Sequence, residues 1–272
     1  MIDDIVNHSG GAHNKAAAPI HRKHGMTEPT TLRRVERVRH EIKRREVRVA
    51  RVEELGPHFR RVTFSGESLA DFVSASFDDH VKVFFEPAPG GEPARRDYTP
   101  RHYDNAAREL TIEFALHGAG AASEWAAQAA PGQPLVIAGP KGSLVIPVDY
   151  DWHLLAGDET ALPAVARRLE QLPAGTRAIV ILRVADPADR RALRSDADVR
   201  LAWVDDDAAL LAAVRALELP AGDGYAWCAG EAAAMAALRR VLVEDKGHPR
   251  ESIRAAAYWK RGATAHHENL EG

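Results

Sequence analysis

Apolar residues occupy alternate positions in several short segments of the first half of the chain. Val47 and Val49, and then Val62 and Phe64, have the spacing of strands with one buried face. The same alternation recurs in three later segments, at 81–85, 110–114 and 135–138. Glycine and proline separate the segments, as in turns. This pattern predicts a small antiparallel barrel or sandwich.

The second half of the chain alternates strand-like and helix-like segments instead. Strands are expected at 153–156, 178–184, 199–204 and 225–229, and helices at 161–172, 208–217 and 232–243. Such alternation indicates a Rossmann-like α/β domain with a parallel sheet. Its ligand would lie beyond the carboxyl ends of the strands. We therefore predict three regions: a disordered tail at 1–31, a β-barrel domain at 32–148 and an α/β domain at 149–272.

The charge balance argues against a nucleic-acid-binding protein. The net charge is −3, from 36 Lys and Arg against 39 Asp and Glu. Residues 32–51 carry a local surplus of positive charge, but no aromatic residues are interleaved with it, so we interpret it as a solvated strand. The four histidines of the tail have spacings that fit no metal-ligand motif.

Hydrophobicity and cysteine content narrow the class of protein further. No apolar run approaches the roughly 20 residues that a membrane span requires, and the N-terminus does not resemble a signal peptide. We therefore expect a cytoplasmic protein without membrane insertion. The single cysteine, Cys228, excludes an internal disulfide and a four-cysteine iron–sulfur site. Redox chemistry in this chain would need a bound organic cofactor.

The segment 96–101 combines two guanidiniums, an aromatic ring and a hydroxyl within six residues. On a strand, Arg96 and Tyr98 would share one face. A dinucleotide with an aromatic ring system needs a flat side chain, a cation for its phosphates and a hydroxyl for the ring edge. An ordinary surface strand with mixed charges is the alternative interpretation.

Three glycine-containing loops follow strands and precede helices, where a nucleotide could bind. Residues 117–123 lead into a helix expected at 124–130, and their small side chains would let backbone N–H groups approach a pyrophosphate. Ser123 alone is also compatible with a simple helix cap. Residues 157–164 carry Asp158 and Glu159, which would repel phosphate, so that loop is expected to border a ring. In 225–231, Gly230 permits close backbone approach and Glu231 suits a helix N-terminus.

Taken together, the order and spacing of these motifs resemble the siderophore-interacting protein family, whose members are FAD-containing ferric-siderophore reductases of the ferredoxin-reductase-like superfamily. The resemblance covers about residues 34–262. The motifs that carry it are Arg96-x-Tyr98-Thr99-x-Arg101, His117-Gly118, Ser123-x-Trp125-Ala126, Gly139-Pro140-x-Gly142-Ser143, Gly157-Asp158-Glu159-Thr160-Ala161-Leu162-Pro163-Ala164, Trp227-x-Ala229-Gly230-Glu231 and Tyr258-Trp259-Lys260-x-Gly262.

The resemblance implies an antiparallel FAD-binding barrel of the ferredoxin-reductase type, followed by an α/β domain that receives a nicotinamide or another electron donor. It also implies which residues hold the cofactor: Arg96, Tyr98, Thr99, Arg101, His117, Gly118, Ala122, Ser123, Asp158, Thr160, Gly230 and Glu231. A basic patch for the substrate is implied at Lys82, Lys260 and Arg261. No catalytic side chain is required beyond the flavin, and no metal site is implied.

The expected activity is electron transfer from NADPH, NADH or a ferredoxin through FAD to siderophore-bound Fe(III), with release of Fe(II). Ferric siderophores, above all catecholates, are anionic, so positive charge at the pocket mouth would favour their approach. A single cysteine excludes the [2Fe–2S] subgroup of such reductases. Two alternatives are a general NAD(P)H:flavin or quinone reductase and a non-catalytic siderophore-binding protein. We expect a monomer.

The identity of the electron donor is left open by the sequence. The acidic loop at 157–159 lacks a phosphate-binding pattern. Four arginines at and beyond the strand 178–184 are candidates for a 2′-phosphate clamp, although a solvated helix face explains them equally well: Arg183, Arg190, Arg191 and Arg194.

Overall fold

The computed structural model describes residues 34–86, 94–116, 120–263 and 268–270. These residues all belong to one compact unit, 33–272. The predicted tail at 1–31 and the candidate cofactor ligands His117 and Gly118 lie outside the described residues.

Seven strands of the first half form one antiparallel sheet that is curled into a half-barrel. Its strands are β2 (Arg44–Gly56), β3 (Phe59–Ser65), β4 (Val81–Phe85), β5 (Ala94–Tyr98), β6 (Pro100–Asp104), β7 (Glu109–Ala115) and β8 (Pro134–Ala138). They lie in the order β5-β4-β8-β2-β3-β7-β6. Two further strands, β1 (Glu36–Arg39) and β9 (Gly142–Val145), pair with each other in a separate antiparallel ribbon. The antiparallel β domain expected from the alternation is confirmed.

The inner face of the half-barrel buries the alternating apolar residues identified in the sequence. Val62, Phe64 and Ile112 are fully buried there, because alternate residues of a strand point to the same face. The short helix α1 (Ala121–Ala127) closes one side of this core, where Trp125 packs 5.5 Å from the ring of Phe114. Helix α1 therefore begins three residues before the helix expected at 124–130.

The second half of the chain forms a six-stranded sheet with five parallel strands. The strands are β10 (Trp152–Gly157), β11 (Arg177–Arg183), β12 (Asp198–Val204), β13 (Gly224–Glu231), β14 (Ile253–Trp259) and the antiparallel β15 (Glu268–Asn269). Their order is β12-β11-β10-β13-β14-β15, so the strand order reverses between β10 and β13. In open α/β sheets ligands bind outside the carboxyl ends of the strands at such a reversal. The Rossmann-like prediction is confirmed.

The helices of this domain lie close to their expected positions. They are α2 (Leu162–Gln171), α3 (Asp207–Ala216) and α4 (Ala232–Arg240). Helix α4 is shorter than expected, because a π-helical turn at Val241–Asp245 replaces its predicted last turn. Strands β10 and β13 are buried along their whole length, as central strands covered on both faces must be.

The passage between the two sheets runs from Val145, the end of β9, to Trp152, the start of β10. The domain boundary predicted at residues 148 and 149 falls within this passage and stays a prediction. None of the described helices is both long and apolar enough to cross a membrane.

Candidate functional site

A cavity of about 1020 Å³ lies where the half-barrel meets the carboxyl ends of the parallel strands. Both sheets contribute to its wall. Its lining includes His58, His80, Lys82, Arg96, Tyr98 and Thr99 from the half-barrel, and Glu159, Thr160, Arg183, Asp186, Asp189, Tyr258 and Trp259 from the α/β domain. Its position coincides with the strand-order reversal, where the fold places ligands.

Strand β5 supplies the aromatic ring and the cation that the sequence singled out. Arg96 and Tyr98 share one face of β5, and both line the cavity. The ring of Tyr98 packs 4.4 Å from that of Phe114, which fixes it against the barrel core. Burial raises the pKa of the Tyr98 hydroxyl, so the side chain stays neutral. The strand thus presents a rigid aromatic surface beside a guanidinium.

Thr99 interrupts the strand between β5 and β6, and its side chain is hydrogen-bonded to the hydroxyl of Tyr258. Tyr258 belongs to β14, the last parallel strand, and both residues line the cavity. Burial raises the pKa of Tyr258, so its hydroxyl keeps its proton. This contact joins the two sheets directly at the cavity wall.

The loop before α1 contributes small side chains. Gly120, Ala122 and Ser123 line the cavity, and Ala122 is buried. A Cβ added at Gly120 would meet no atom within 4 Å, so the described contacts do not require glycine there. Ala122 and Ser123 remain candidates for contact with the cofactor.

Asp158 lies behind the cavity wall and positions two residues that form it. Its buried carboxylate accepts hydrogen bonds from the Thr160 backbone N–H (2.9 Å), the Thr160 hydroxyl (2.5 Å), the Glu231 N–H (2.9 Å) and the indole N–H of Trp259 (2.8 Å). Thr160 and Trp259 line the cavity, whereas Asp158 itself does not. These hydrogen bonds give Asp158 a positioning role, and its direct contact with the cofactor stays a prediction.

Gly230 and Glu231 likewise support the site without lining it. Gly230 has φ +152°, and a Cβ there would lie 2.5 Å from an Asp158 oxygen, so only glycine allows the carboxylate to approach. Glu231 caps α4 by accepting hydrogen bonds from Ala233 N–H and Ala234 N–H, at 2.7 and 3.1 Å. Glu231 therefore serves as the N-terminal cap of α4, as expected for an acidic residue at a helix N-terminus.

Arg101 does not line this cavity, contrary to the expectation from its motif. It forms a bidentate ion pair with Glu170 of α2, with distances of 2.8 and 2.5 Å. An irregularity in the pairing of β6 with β7, between Pro100 and His102, separates Arg101 from the alternation that places Arg96 and Tyr98. Arg101 therefore connects the half-barrel to α2.

The expected basic patch is only partly assembled at the cavity. Lys82 lines it and pairs with Asp97 at 2.7 Å. Lys260 and Arg261 follow the end of β14 and do not line it; Arg261 pairs with Asp207 at 3.3 Å. Arg95 and Arg96 of the neighbouring strand β5 also line the cavity, and Arg183 lines it from the α/β domain.

The α/β domain contributes several acidic side chains to the same cavity. Burial raises the pKa of Glu159, with a further contribution from the adjacent Asp158 charge, and Arg183 pairs with Glu159 at 2.6 Å. Asp186 and Asp189 follow β11 and face His58 of the half-barrel. Asp186 and Asp189 were not predicted as site residues from the sequence. The rule that ligands lie beyond strand carboxyl ends, applied to β11, points to both aspartates.

The cavity residues fit FAD. Ligand cavities commonly measure about 300–1000 Å³, and this cavity lies at the upper end of that range, as a dinucleotide requires. The fixed ring of Tyr98 offers a flat apolar surface, Arg96 offers a cation for phosphate, and Thr99 and Thr160 offer hydroxyls for the edge of a ring.

The family to which these features belong is established by sequence. Residues 150–262 match the family described as siderophore-interacting protein, and residues 48–94 and 86–144 match the siderophore-interacting FAD-binding domain. The chain belongs to the siderophore-interacting protein family, as its motifs predicted.

Individual relatives are similar over most of their length. The chain is 38% identical, over 251 residues, to the NADPH-dependent ferric-chelate reductase of Escherichia coli, covering 84% of this chain and 98% of the relative. It is 31% identical, over 235 residues, to the ferric vibriobactin reductase ViuB of Vibrio cholerae, covering 76% and 87%. The crystal structure of a siderophore utilization protein from T. fusca superposes with a TM-score of 0.80 at 33% identity, covering 85% and 98%.

Proposed function

We propose that this protein is an FAD-dependent reductase of ferric siderophores that uses NADPH as its electron donor. The observation that carries the proposal is the cavity of about 1020 Å³ in which a fixed aromatic ring, Tyr98, and a guanidinium, Arg96, meet the carboxyl ends of the parallel strands. FAD and NADPH are the cofactors that its family and its E. coli relative support. Both named relatives are reductases of ferric complexes.

The proposed reaction needs no acid or base from the protein. When bound, FAD would supply the redox chemistry, which is acceptance of a hydride and donation of single electrons. NADPH loses a hydride and becomes NADP⁺, two Fe(III) ions each gain one electron, and one proton is released to solvent. The side chains of this protein would therefore bind the cofactor and the substrate, orient them and shield them from water. Arg96 would hold a phosphate of FAD and Tyr98 would support its flavin ring. Ala122 and Ser123 would contact the remainder of the FAD molecule.

The basic side of the cavity suits an anionic substrate. Lys82, Arg95 and Arg96 line it close to the edge of the half-barrel, where they attract a negatively charged chelate. Reduction of Fe(III) to Fe(II) makes a complex more negative, and fixed cations stabilise that product. An anionic, catecholate-type siderophore is therefore the proposed substrate of this site. We further propose that the protein acts as a monomer in the cytoplasm.

Anaerobic stopped-flow spectroscopy tests this function. The FAD-loaded protein is mixed separately with NADPH, NADH and reduced ferredoxin, and then with ferric chelates of different charge. We expect NADPH to bleach the flavin absorbance and an anionic ferric siderophore to restore it. Much faster turnover of free FMN or a quinone would favour a general flavin or quinone reductase. Bound flavin that none of the three donors reduces would indicate a non-catalytic binding protein.

A pair of lysine variants tests the role of charge. Lys82 lines the cavity and Lys260 does not, although both were expected at its mouth. We expect Lys82→Ala to slow reduction of an anionic ferric chelate more than that of a neutral one, and Lys260→Ala to have the smaller effect. Equal losses on both chelates would contradict the charge role of Lys82.

A further inference from the structure

One corner of the cavity wall holds three potential metal ligands from two separate elements. His58 lies in the tight turn between β2 and β3, while Asp186 and Asp189 lie in the loop after β11. Their ligand atoms, the Nδ1 of His58 and one oxygen from each carboxylate, all lie within 4.8 Å of one another. All three residues line the cavity. We refer to them as the His58 corner.

The distances within the His58 corner suit a first-row divalent metal. His58 Nδ1 lies 2.8 Å from Asp189 Oδ2 and 3.7 Å from Asp186 Oδ2. Bonds of about 2.1 Å separate neighbouring ligand atoms by about 3.0 Å in an octahedron and about 3.4 Å in a tetrahedron. The two measured distances span these values. Small side-chain rotations are therefore enough for the three atoms to hold one ion.

Each carboxylate uses one oxygen for local structure and leaves the other facing the imidazole. Asp189 Oδ1 accepts a 3.0 Å hydrogen bond from the backbone N–H of His58, and Asp186 Oδ1 accepts one of 2.9 Å from Ala188 N–H. The Oδ2 atoms of both aspartates are the ones that approach His58 Nδ1. In metal sites, the carboxylates that bind the ion are typically oriented by such hydrogen bonds from surrounding groups.

The backbone before His58 is shaped to accept Asp189. Gly56 has φ +153°, and a Cβ at this position would lie 2.4 Å from Asp189 Oδ1. Only glycine combines that backbone conformation with so close an approach. The turn after β2 and the loop after β11 are therefore fitted to each other at the His58 corner.

The charge of the His58 corner calls for a cation. Among the described residues, the ion pairs of Asp186 and Asp189 are with His58, and neither aspartate pairs with a lysine or arginine. Arg191 interacts electrostatically with Asp189, but its guanidinium donates its hydrogen bond to Glu113, at 2.5 Å. In the part of the chain that the structure describes, these two carboxylates thus share one imidazole and pair with no lysine or arginine, and a divalent ion would neutralise them.

We propose that the His58 corner is a transient binding site for the Fe(II) that reduction liberates in the same cavity. The proposal rests on the proposed function, because that reaction produces the ion. One imidazole and two carboxylates are ligands that Fe(II) accepts, and three protein ligands leave positions open for water and for exchange. The site would hold Fe(II) after it leaves the siderophore and pass it on to a stronger chelator.

The test is an anaerobic titration of the FAD-loaded protein with Fe(II), in which calorimetry measures the stoichiometry and the affinity of Fe(II) binding. The informative variants are Asp186→Asn, which keeps an oxygen to accept the Ala188 hydrogen bond, and His58→Gln. Asp205→Asn is the matched control, because Asp205 is a carboxylate of the neighbouring strand-end loop that pairs with Arg190. Thermal unfolding and flavin absorbance verify that each variant is folded and loaded.

We expect one Fe(II) per chain in the wild-type protein, and an affinity at least about tenfold lower in Asp186→Asn and in His58→Gln, as for loss of a metal ligand. Asp205→Asn should bind like the wild type. Absence of Fe(II) binding, or equal affinity in all four proteins, overturns the site; equal affinity would assign the binding to another region, such as the histidines of the tail.

The result is separable from the test of the proposed function. Flavin reoxidation by ferric siderophore without Asp186-dependent Fe(II) binding overturns the site and leaves the reductase standing. Asp186-dependent Fe(II) binding without any such reoxidation overturns the reductase, and with it the role of this site in receiving a product.

Discussion

The indole N–H of Trp259 donates a 2.8 Å hydrogen bond to the carboxylate of Asp158, which lies 101 residues earlier in the chain. Asp158 follows β10 and Trp259 ends β14, and the two strands are separated in the sheet by β13. The same carboxylate accepts the N–H of Glu231 at the end of β13. One buried acid thus joins the ends of three neighbouring strands behind the cavity wall.

Removal of this acid should destabilise the fold. We expect Asp158→Ala to lower the free energy of unfolding by about 2–4 kcal/mol, because buried donors lose their acceptor and each such loss costs about 1–3 kcal/mol. Urea denaturation measures the effect. Asp205→Ala, which removes an exposed ion pair, is the control and should change the free energy by less than about 1 kcal/mol. Similar losses in both variants would contradict the role given to Asp158.

Arg96 and Arg101 belong to one motif but should behave differently. Arg96→Ala removes a cavity cation, so we expect FAD affinity to fall about 10- to 100-fold, the value of a charge-assisted hydrogen bond. Arg101→Ala breaks the ion pair with Glu170, so we expect a loss of stability of about 1–3 kcal/mol with little change in FAD affinity. Fluorescence titration with FAD and urea denaturation separate the two effects. Weaker FAD binding in Arg101→Ala than in Arg96→Ala would refute this assignment.

The ring of Tyr98, rather than its hydroxyl, should matter for the cofactor. Tyr98→Phe keeps the ring that packs against Phe114, and we expect it to retain FAD through gel filtration. Tyr98→Ala removes the ring, and we expect most of the flavin absorbance to be lost. Retention of flavin by the alanine variant would show that the ring does not support the cofactor.

His153 should make the fold sensitive to mild acid. Burial, followed by the nearby Arg168 charge, lowers the pKa of His153 to about 4. Between pH of about 6.5 and 4 the unfolded chain binds a proton that the folded protein does not, so the free energy of unfolding falls as the pH falls. The difference amounts to at most about 3 kcal/mol. Below about pH 4 both states are protonated and this contribution no longer changes.

The His153→Gln variant tests the pH dependence. Urea denaturation at several pH values should show a shallower decline for the variant than for the wild type between pH 6.5 and 4. Parallel curves for the two proteins would mean that His153 is not the group responsible.

The division of the fold into an antiparallel β half and a parallel α/β half could be predicted from the sequence, because it depends on short-range patterns. The alternation at Val62 and Phe64 indicates a strand with one buried face. The uninterrupted apolar run of β11 indicates a strand that is buried on both faces. Strand β14 escaped prediction because Arg254 interrupts its apolar residues. In the structure the guanidinium of Arg254 lies 2.6 Å from the buried carboxylate of Asp78, a partner distant in sequence. Local patterns carry no information about such a partner.

The candidate site was predictable where strand alternation held. Arg96, Tyr98 and Thr99 were placed on the cavity by one regular strand and the break that follows it. Arg101 lies beyond an irregularity that sequence spacing does not reveal. The His58 corner required knowledge of which turn of the half-barrel meets which loop of the α/β domain, and that is a property of the tertiary structure.

The wall of the cavity begins at His58 and receives Tyr258 and Trp259 from β14, about 200 residues later. At a translation rate of about 5–20 residues per second, some 10–40 s separate the emergence of these two parts from the ribosome. During that interval a nascent half-barrel lacks Tyr258, whose hydroxyl is hydrogen-bonded to the Thr99 side chain in the complete fold. The complete wall of the cavity is therefore available to a cofactor only after β14 has been synthesised.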